Sequence, residues 1–594
     1  LSNYDNTKFN WKAFWEDNTF DKAVVTLSDV ENFDVRAYSY ASGSYNFTNV
    51  RRIGAVIQGE ADNAYSGDTI LAKPGQYTEN ITINKPINLI GSGSGDDSSE
   101  NTILRKNTNS AIITLSASGT ASAPILLKDL RIEPVGVYGI NVPIGSVEYI
   151  TLENVNVVGS KPTNDTESEV GFKVATSATL RYLTVENSGF DNLHYGWYFA
   201  KHGDWTTNSS TVENVFVQNT TFKENAAKGI YVEKLSKATF TNVIVEGNGW
   251  NTLFWNARWN AGFDINLKGE TGGKTYQDLV FNNLEVRNNA KGTRDGAGLM
   301  IKARDDGPTY SQFPATLSNV QINNGVFEGN ERGIRFGEPD KDNAGPTNVV
   351  IQNAIIRNNL KTYSGTDGSA YGGVINYTQS QVRADNNYWG TLSWAGYATV
   401  NGIQTMIYGD VDWQPWRDED LADSLDIPAI TYADDDNAGK AEGDAGANGG
   451  IFGYDAFATI EDALNHVAPG GTVLVGEGNY SGDIPINKAV TITGQNRPVL
   501  DGRFWVNADN VIIQGFEIQN GRASTGVDQS GVYISNAQNV SILYNHLIGM
   551  WTGGENNFVG GRGILTSGNV GNLSVEGNVI EKWVSGLYLN PTSG

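Results

Sequence analysis

The chain contains no cysteine, which excludes disulfide staples, cysteine zinc sites and thiol nucleophiles. It has only four histidines, too sparse for a histidine metal centre. It has no run of 18 or more apolar residues, so no helix of the sequence is suited to cross a bilayer. Basic residues are scarce, 42 Lys and Arg against 66 Asp and Glu, for a net charge of −24. A surface of that sign repels nucleic acid and anionic membrane. It also disfavours polyanionic polysaccharide unless a basic cleft is built locally; neutral sugar or calcium suits it better. Amphipathic helical periodicity is nearly missing as well. The exception is "AFATIEDALNHVAPG", where Phe457, Ile460, Ala463 and Leu464 fall at helical spacing before a Pro-Gly stop.

What fills the 594 residues instead is repetition. "GDTILAKPGQYTENITINKPINLIGSG" from Gly67 returns as "GGTVLVGEGNYSGDIPINKAVTITGQN" from Gly470, without a gap. Between and beyond these, "ATFTNVIVEGNG", "LVFNNLEVRNNA", "VQINNGVFEGNE" and "VVIQNAIIRNNL" share one template: alternating apolar residues that end at an asparagine or glycine corner. A second run follows each, with glycines at Gly229, Gly262, Gly298, Gly333 and Gly373. Period-2 alternation between regular turns means strands. The glycine spacing exceeds a bare solenoid coil of about 22–25 residues, so loops must leave each coil on one side. A sandwich or propeller would also have many short strands. Recurring corner asparagines favour a parallel β-helix, in which equivalent asparagines stack coil over coil and coils bury one continuous core.

On these repeats the chain resembles the bacterial right-handed parallel β-helix repeat proteins, of the pectin-lyase-like superfold, over nearly all its length. "FATIEDALNHVAPGGTVLVGEGNYSGDIPINKAVTITG" is similar to their opening unit, a capping helix and first coil. "ADNNYWGTL" with "GDVDWQPW" is similar to their closing unit. The resemblance implies an all-β chain of two tandem right-handed parallel β-helices, the second incomplete, with a short capping helix. The expected division is an N-terminal cap at 1–48, a first β-helix at 49–417, an acidic Gly/Ala-rich linker at 418–449 and a second β-helix at 450–594. The first opening unit departs from the pattern: "VRRIGAVIQGEADNAYS" stands where the helix motif belongs. The start at Leu1, with no signal peptide visible, reads as a processed or cut N-terminus, and the end in mid-repeat as that of a fragment of something longer; the cysteine-free, acidic, lysine-poor, Asn/Gly/Thr-rich composition reads as that of an exported bacterial protein.

The solenoid names no function, and the signatures of pectate lyases, polygalacturonases and alginate epimerases are missing. Alternation places Ile230, Phe263, Leu299 and Ile334 inside. It places Tyr231, Glu233, Asp264, Asn266, Met300, Lys302 and Arg335 outside, with Lys268, Arg304, Asp305, Asp306 and Glu338 just beyond. Glu233, Asp264, Asp305 and Asp306 are candidate acid, base or nucleophile of a glycosidase, since two carboxylates on neighbouring coils fall within the required range. The same residues also make an ion-pair ladder. Trp197 and Trp205 in "HYGWYFAKHGDW", and Trp250, Trp255 and Trp259 in "GWNTLFWNARWN", are candidate glycan or partner contacts with Lys302, Arg304 and Arg335. Covering one another in a loop cluster is the alternative. Asp434, Asp436 and Asp444 gather hard oxygens suited to calcium, in what also reads as a solvated acidic segment. Two functions fit. In one the chain is an extracellular or cell-surface scaffold of a surface layer, adhesin or filament, meeting copies of itself, other surface proteins or polysaccharide, with calcium. In the other the first β-helix is an extracellular glycoside hydrolase or lyase. Nucleic acid is not an expected partner.

Overall fold

Alternating Val, Ile, Leu and Phe give each short run one dry face, and asparagine or glycine at its end lets the backbone turn. The computed structural model describes residues 33–41, 44–53, 56–163, 169–203, 205, 210–253, 257–362, 371–390, 400–418, 421, 424–441, 443–519, 530–551 and 561–590. Contacts divide the chain into two units, Leu1–Trp389 with Thr405–Trp413, and Gly390–Gln404 with Gln414–Gly594.

In the first unit, one coil runs through strands Val212–Gln218, Thr221–Lys223 and Lys228–Val232. Its bends fall at Asn219 (φ 49°) and Glu224 (φ 54°). Such left-handed geometry favours asparagine among residues with a side chain. The next coil repeats the plan as Ser236–Thr241, Ile244–Glu246 and Ala261–Leu267. Third strands of successive coils pair in parallel, in register. Among the described residues they build an 11-stranded sheet, and first and second strands build a 22-stranded sheet. This is a right-handed parallel β-helix, the hand that parallel crossovers take. Its core is a set of columns. Phe172, Trp197, Ile230, Phe263, Leu299, Ile334 and Val374 follow one another in register and are fully buried.

A buried asparagine ladder runs along one corner. The Oδ1 of Asn248 accepts from the backbone N and Nδ2 of Asn225, at 3.0 and 2.8 Å. Asn289 does the same for Asn248 at 2.9 and 3.0 Å, and Asn330 for Asn289 at 3.0 and 2.9 Å. Each amide also donates to a carbonyl: Asn248 to Phe222, Asn289 to Val245, Asn330 to Val286. A second, exposed ladder links Asn283 to Asn242 and Asn242 to Asn219.

The second unit has the same plan in a 7-stranded and an 8-stranded sheet among its described residues. Its helix, Ile460–His466, is capped by the Thr459 side chain, which accepts from the Asp462 N–H, and buries Ile460, Ala463 and Leu464. The recurring lysine of the duplicated segment has one job in both copies. Lys488 Nζ donates to the Val467 carbonyl at 2.6 Å, just past that helix. Lys85 Nζ donates to the carbonyls of Asp62 and Ala64 at 2.6 and 3.0 Å, at the end of helix Ile57–Asn63.

Three expectations need correction. The first opening unit does have its helix, because Ile57 and Ala61 supply a buried stripe that the motif search missed. The boundary at residue 48 cuts a strand: Ser44–Ile53 forms an antiparallel hairpin with Phe33–Ala41, and its Arg51 and Arg52 pair with the first coil. Residues 1–32 lie outside the described residues. The segment 418–449 is not all linker, since Ile430–Ala433 pairs in parallel with Thr472–Val475. Its Thr431 and Ala433 are buried, a short alternation hidden among acidic neighbours.

The two ladders predict different sensitivities. Asn289→Ala strands the Asn248 N–H and the Val245 carbonyl in the interior, at about 1–3 kcal/mol for each orphaned group, so roughly 3–5 kcal/mol in all. Asn283→Gly, exposed and at φ 52°, keeps a permitted backbone and costs under about 1 kcal/mol. Urea unfolding of the two variants checks the difference.

Candidate functional site

Opposite the core column, register aligns Lys173, Tyr198, Tyr231, Asp264, Met300, Arg335, Ile375 and Tyr408 on the outer face of the 11-stranded sheet. The middle of this face is closed: every residue of Ala261–Leu267 and Ala297–Ala303 is buried. The segments that follow two of the third strands, Ala297–Ala303 and Ile334–Phe336, supply Arg304, Asp306, Tyr310, Glu338 and Asn343 to it.

Beneath lies a chain of ion pairs. Lys228 Nζ meets Asp264 Oδ2 at 2.5 Å, and Lys302 Nζ meets Asp264 Oδ1 at 2.9 Å. Lys302 continues to Glu338 at 3.3 Å, and Glu338 takes Arg304 at 3.2 Å and Arg335 at 3.7 Å. Arg304 grips Asp306 with two bonds, at 2.6 and 2.9 Å. Arg335 also donates to the Asp295 carbonyl. Glu233 accepts from the backbone N–H groups of Lys201 and His202, both at 2.7 Å, and from the Tyr231 hydroxyl at 2.8 Å. Asp305 accepts from Asn343 Nδ2 and the Ala344 N–H.

Electrostatics fix the charges. Burial would raise the Asp264 carboxyl, but Lys228 and Lys302 overcome it and hold it well below the usual carboxylate range. Burial is likewise outweighed at Glu338 by Lys302, Arg335 and Arg304, and at Asp306 by Arg304; both carboxyls titrate at about 2. In all three the neighbouring cations favour the charged form. Glu233 and Asp305 are spoken for by fixed donors. Of the two readings the sequence left open for these residues, a carboxylate pair or an ion-pair ladder, the contacts of Asp264 and Asp306 are those of a ladder; alternation located the residues but could not reveal the cations from adjacent coils. Lys228, beside Gly229 at the start of its strand, and Tyr310 from the following loop were missed for the same reason.

Lys268 is the exception in this cluster. Its Nζ lies 3.0 Å from the Tyr310 hydroxyl and 3.2 Å from Asn266 Oδ1. Burial lowers it to about 7, with Glu233 opposing and Arg304 and Lys302 reinforcing the shift. Above it stand loop aromatics: Trp205 stacks on Phe313 with centroids 4.7 Å apart, and His202 lies 5.5 Å from Trp205.

The other tryptophans scatter. Trp197 is wholly buried in the core column, against Phe172 and Phe190, so it is no contact residue; its place on the strand's inward phase decides this. Trp250 is half-buried, donating Nε1 to the Glu224 carbonyl. Trp259 is half-buried, with Arg258 over its ring at 5.3 Å. Trp255 lies outside the described residues. In the second unit Asp434, Asp435 and Asp436 each offer an oxygen within 4.8 Å of the others. Asp444 is not in that group and accepts from the Ala441 N–H. Asp434 already accepts from the Asp436 N–H and Asp435 from the Asn479 N–H, bonds that shape a turn.

No family model and no curated protein matches the sequence. Similar solved structures include the A-module of the Azotobacter vinelandii mannuronan C-5 epimerase AlgE4, at 13% identity over 90% of this chain and 95% of that one, with a TM-score of 0.32. An alginate lyase from Paenibacillus sp. str. FPU-7 is 13% identical over 61% of this chain and 99% of its own, TM-score 0.32. Pectate lyase Pel9A is 13% identical over 61% and 73%, TM-score 0.25. The likeness is one of fold, which the strand pairing already defines: a right-handed parallel β-helix repeat protein.

Two outcomes follow from the ladder. Lys302→Met leaves Asp264 and Glu338 short of a partner in the interior and destabilises the first unit by about 3 kcal/mol, measured by urea unfolding. Lys268 has a folded value near 7, below the unfolded lysine value of about 10.4. Between those values the unfolded chain binds a proton that the folded chain does not, so this group adds stability as pH rises from about 7 to about 10. The stability of the wild type minus that of Lys268→Met should increase across that window, in urea midpoints taken at three pH values.

Proposed function

We propose that this chain belongs to an exported bacterial surface protein, and that its first β-helix is a rigid scaffold in a surface layer, adhesin or filament. The observation that carries this reading is the closed outer face: among the described residues its carboxylates are ion-paired or held by fixed hydrogen bonds, an arrangement that sets shape. The acidic surface and the absence of cysteine suit an extracellular place. Among the described residues no helix is long and apolar enough to cross a membrane. Contacts would be made to further copies, other surface proteins or polysaccharide through the loops and exposed faces. Calcium would enter at Asp434, Asp435 and Asp436, with further oxygens from a partner or water.

Electron microscopy and sedimentation of the isolated protein, with and without a calcium chelator, test this. Ordered sheets or filaments that disperse on chelation are expected. Monodisperse particles in both conditions contradict it.

One observation favours a second reading, a polysaccharide-active enzyme. A lysine near neutrality beside a phenol is suited to remove a proton and return one, which is elimination or epimerisation chemistry and not two-carboxylate hydrolysis. Under this reading, incubation with a panel of uronate-containing polysaccharides yields unsaturated or epimerised product, and Lys268→Met lowers its rate at least ~100-fold. A silent panel leaves the scaffold reading alone.

A further inference from the structure

The outer column opens again beyond its sealed middle. Register carries it from Arg335 through Ile375 to Tyr408, and beside Tyr408 lies a groove of about 640 Å³. That volume falls within the range of small-ligand sites, about 300–1,000 Å³. Tyr377 and Tyr408 line it, with ring centroids 5.2 Å apart and planes at 54°. Tyr371 stands behind, 5.5 Å from Tyr408. The floor is backbone. Gly409 (φ 80°) packs so closely on the strand below that a Cβ there would lie 2.0 Å from the Asn376 carbonyl oxygen. Asn376 is itself satisfied, donating to the carbonyls of Ser380 and Asp410 and accepting from Thr378. The floor is thus rigid and internally bonded, and the groups on offer to a ligand are the rings and the rim.

The rim has a charge. Asp340, Asp342 and Asp410 are exposed there, with Lys341 the one cationic residue of the lining. Tilted aromatic rings take the apolar face of a sugar, and rings with carboxylates around them take an ammonium. A polyanion is repelled from the same place, as from the chain as a whole at −24. We propose that this groove is a glycan subsite that binds an amino-sugar residue, the ring against Tyr408 and Tyr377 and the ammonium among the three aspartates. The site is distinct from the sealed ladder, and it stands whether or not the protein assembles into sheets or filaments.

Isothermal titration of the full chain with a hexamer of glucosamine, with cellohexaose, with hexagalacturonate and with calcium chloride tests it. The glucosamine hexamer should bind at least ~10-fold more tightly than cellohexaose, and hexagalacturonate should not bind. Tyr408→Ala should weaken binding roughly 10-fold, the equivalent of about 1.4 kcal/mol. Asp342→Asn, an exposed change, should weaken it several-fold, and Lys341→Gln should strengthen it roughly 2–3-fold by removing the like charge. The gain in Lys341→Gln keeps the test decisive if Tyr408→Ala fails to fold. Equal affinity for cellohexaose, preference for hexagalacturonate, heat from calcium alone, no binding of any probe, or wild-type affinity in the variants would each overturn the proposal.

Discussion

The first unit depends on one interaction above others, the bond from an asparagine side chain to the backbone of the coil before it. At the corner that carries Asn225, Asn248, Asn289 and Asn330 the backbone N–H and C=O groups that these side chains bond are buried. Buried backbone groups left unpaired are costly. The asparagine carboxamide has a donor end and an acceptor end, so Asn248, Asn289 and Asn330 each satisfy one carbonyl and one N–H while bonding the next asparagine. Because each side chain spans to the adjacent coil, the corners set coil spacing and register. The same device recurs in the second unit, where Asn545 accepts from the Phe516 N–H and donates to the Ile513 carbonyl.

Fixed register is also what makes the charge ladder possible. Strands that stack without slip bring Lys228, Asp264 and Lys302 onto adjacent coils within ion-pair distance. Pairs buried this deeply gain little net stability, since desolvation offsets most of the attraction. They are intolerant of losing one member, however, and so they bind loops to the face they cover. Glu338 ties its segment to Lys302 and Arg335 of the sheet, and Arg304 joins that segment to its own. The middle of the column is stiff and dry, and the end beyond it, at Tyr408, carries the open groove.

Much of the fold was legible in the sequence because period-2 alternation and corner asparagines are local signals. Ile230, Phe263, Leu299 and Ile334 fall inside as the alternation requires. Trp197 obeys the same alternation and was misread because tryptophan in an aromatic loop motif suggested a contact. The candidate face was legible as to direction and not as to exposure. Alternation says which way Asp264 points; it does not say that a lysine 36 residues earlier reaches it or that Tyr310 closes over Lys268. Ile57–Asn63 and Ile430–Ala433 are too short for their periodicity to stand out. The groove at Tyr408 was invisible for a related reason: its tyrosines and aspartates come from three separated stretches that only register brings together.

The central claim is that the middle of the outer column is sealed while the protein is folded. Amine-reactive labelling of the native chain, read lysine by lysine by mass spectrometry, tests it most directly. Lys234, Lys268 and Lys302 are buried, whereas Lys237, Lys291 and Lys341 are exposed. The account predicts that the buried three react at least ~100-fold more slowly, limited by opening of the structure. Labelling of Lys268 and Lys302 at the rate of Lys237 in folded protein would contradict it, and would mean that the face is open to a substrate.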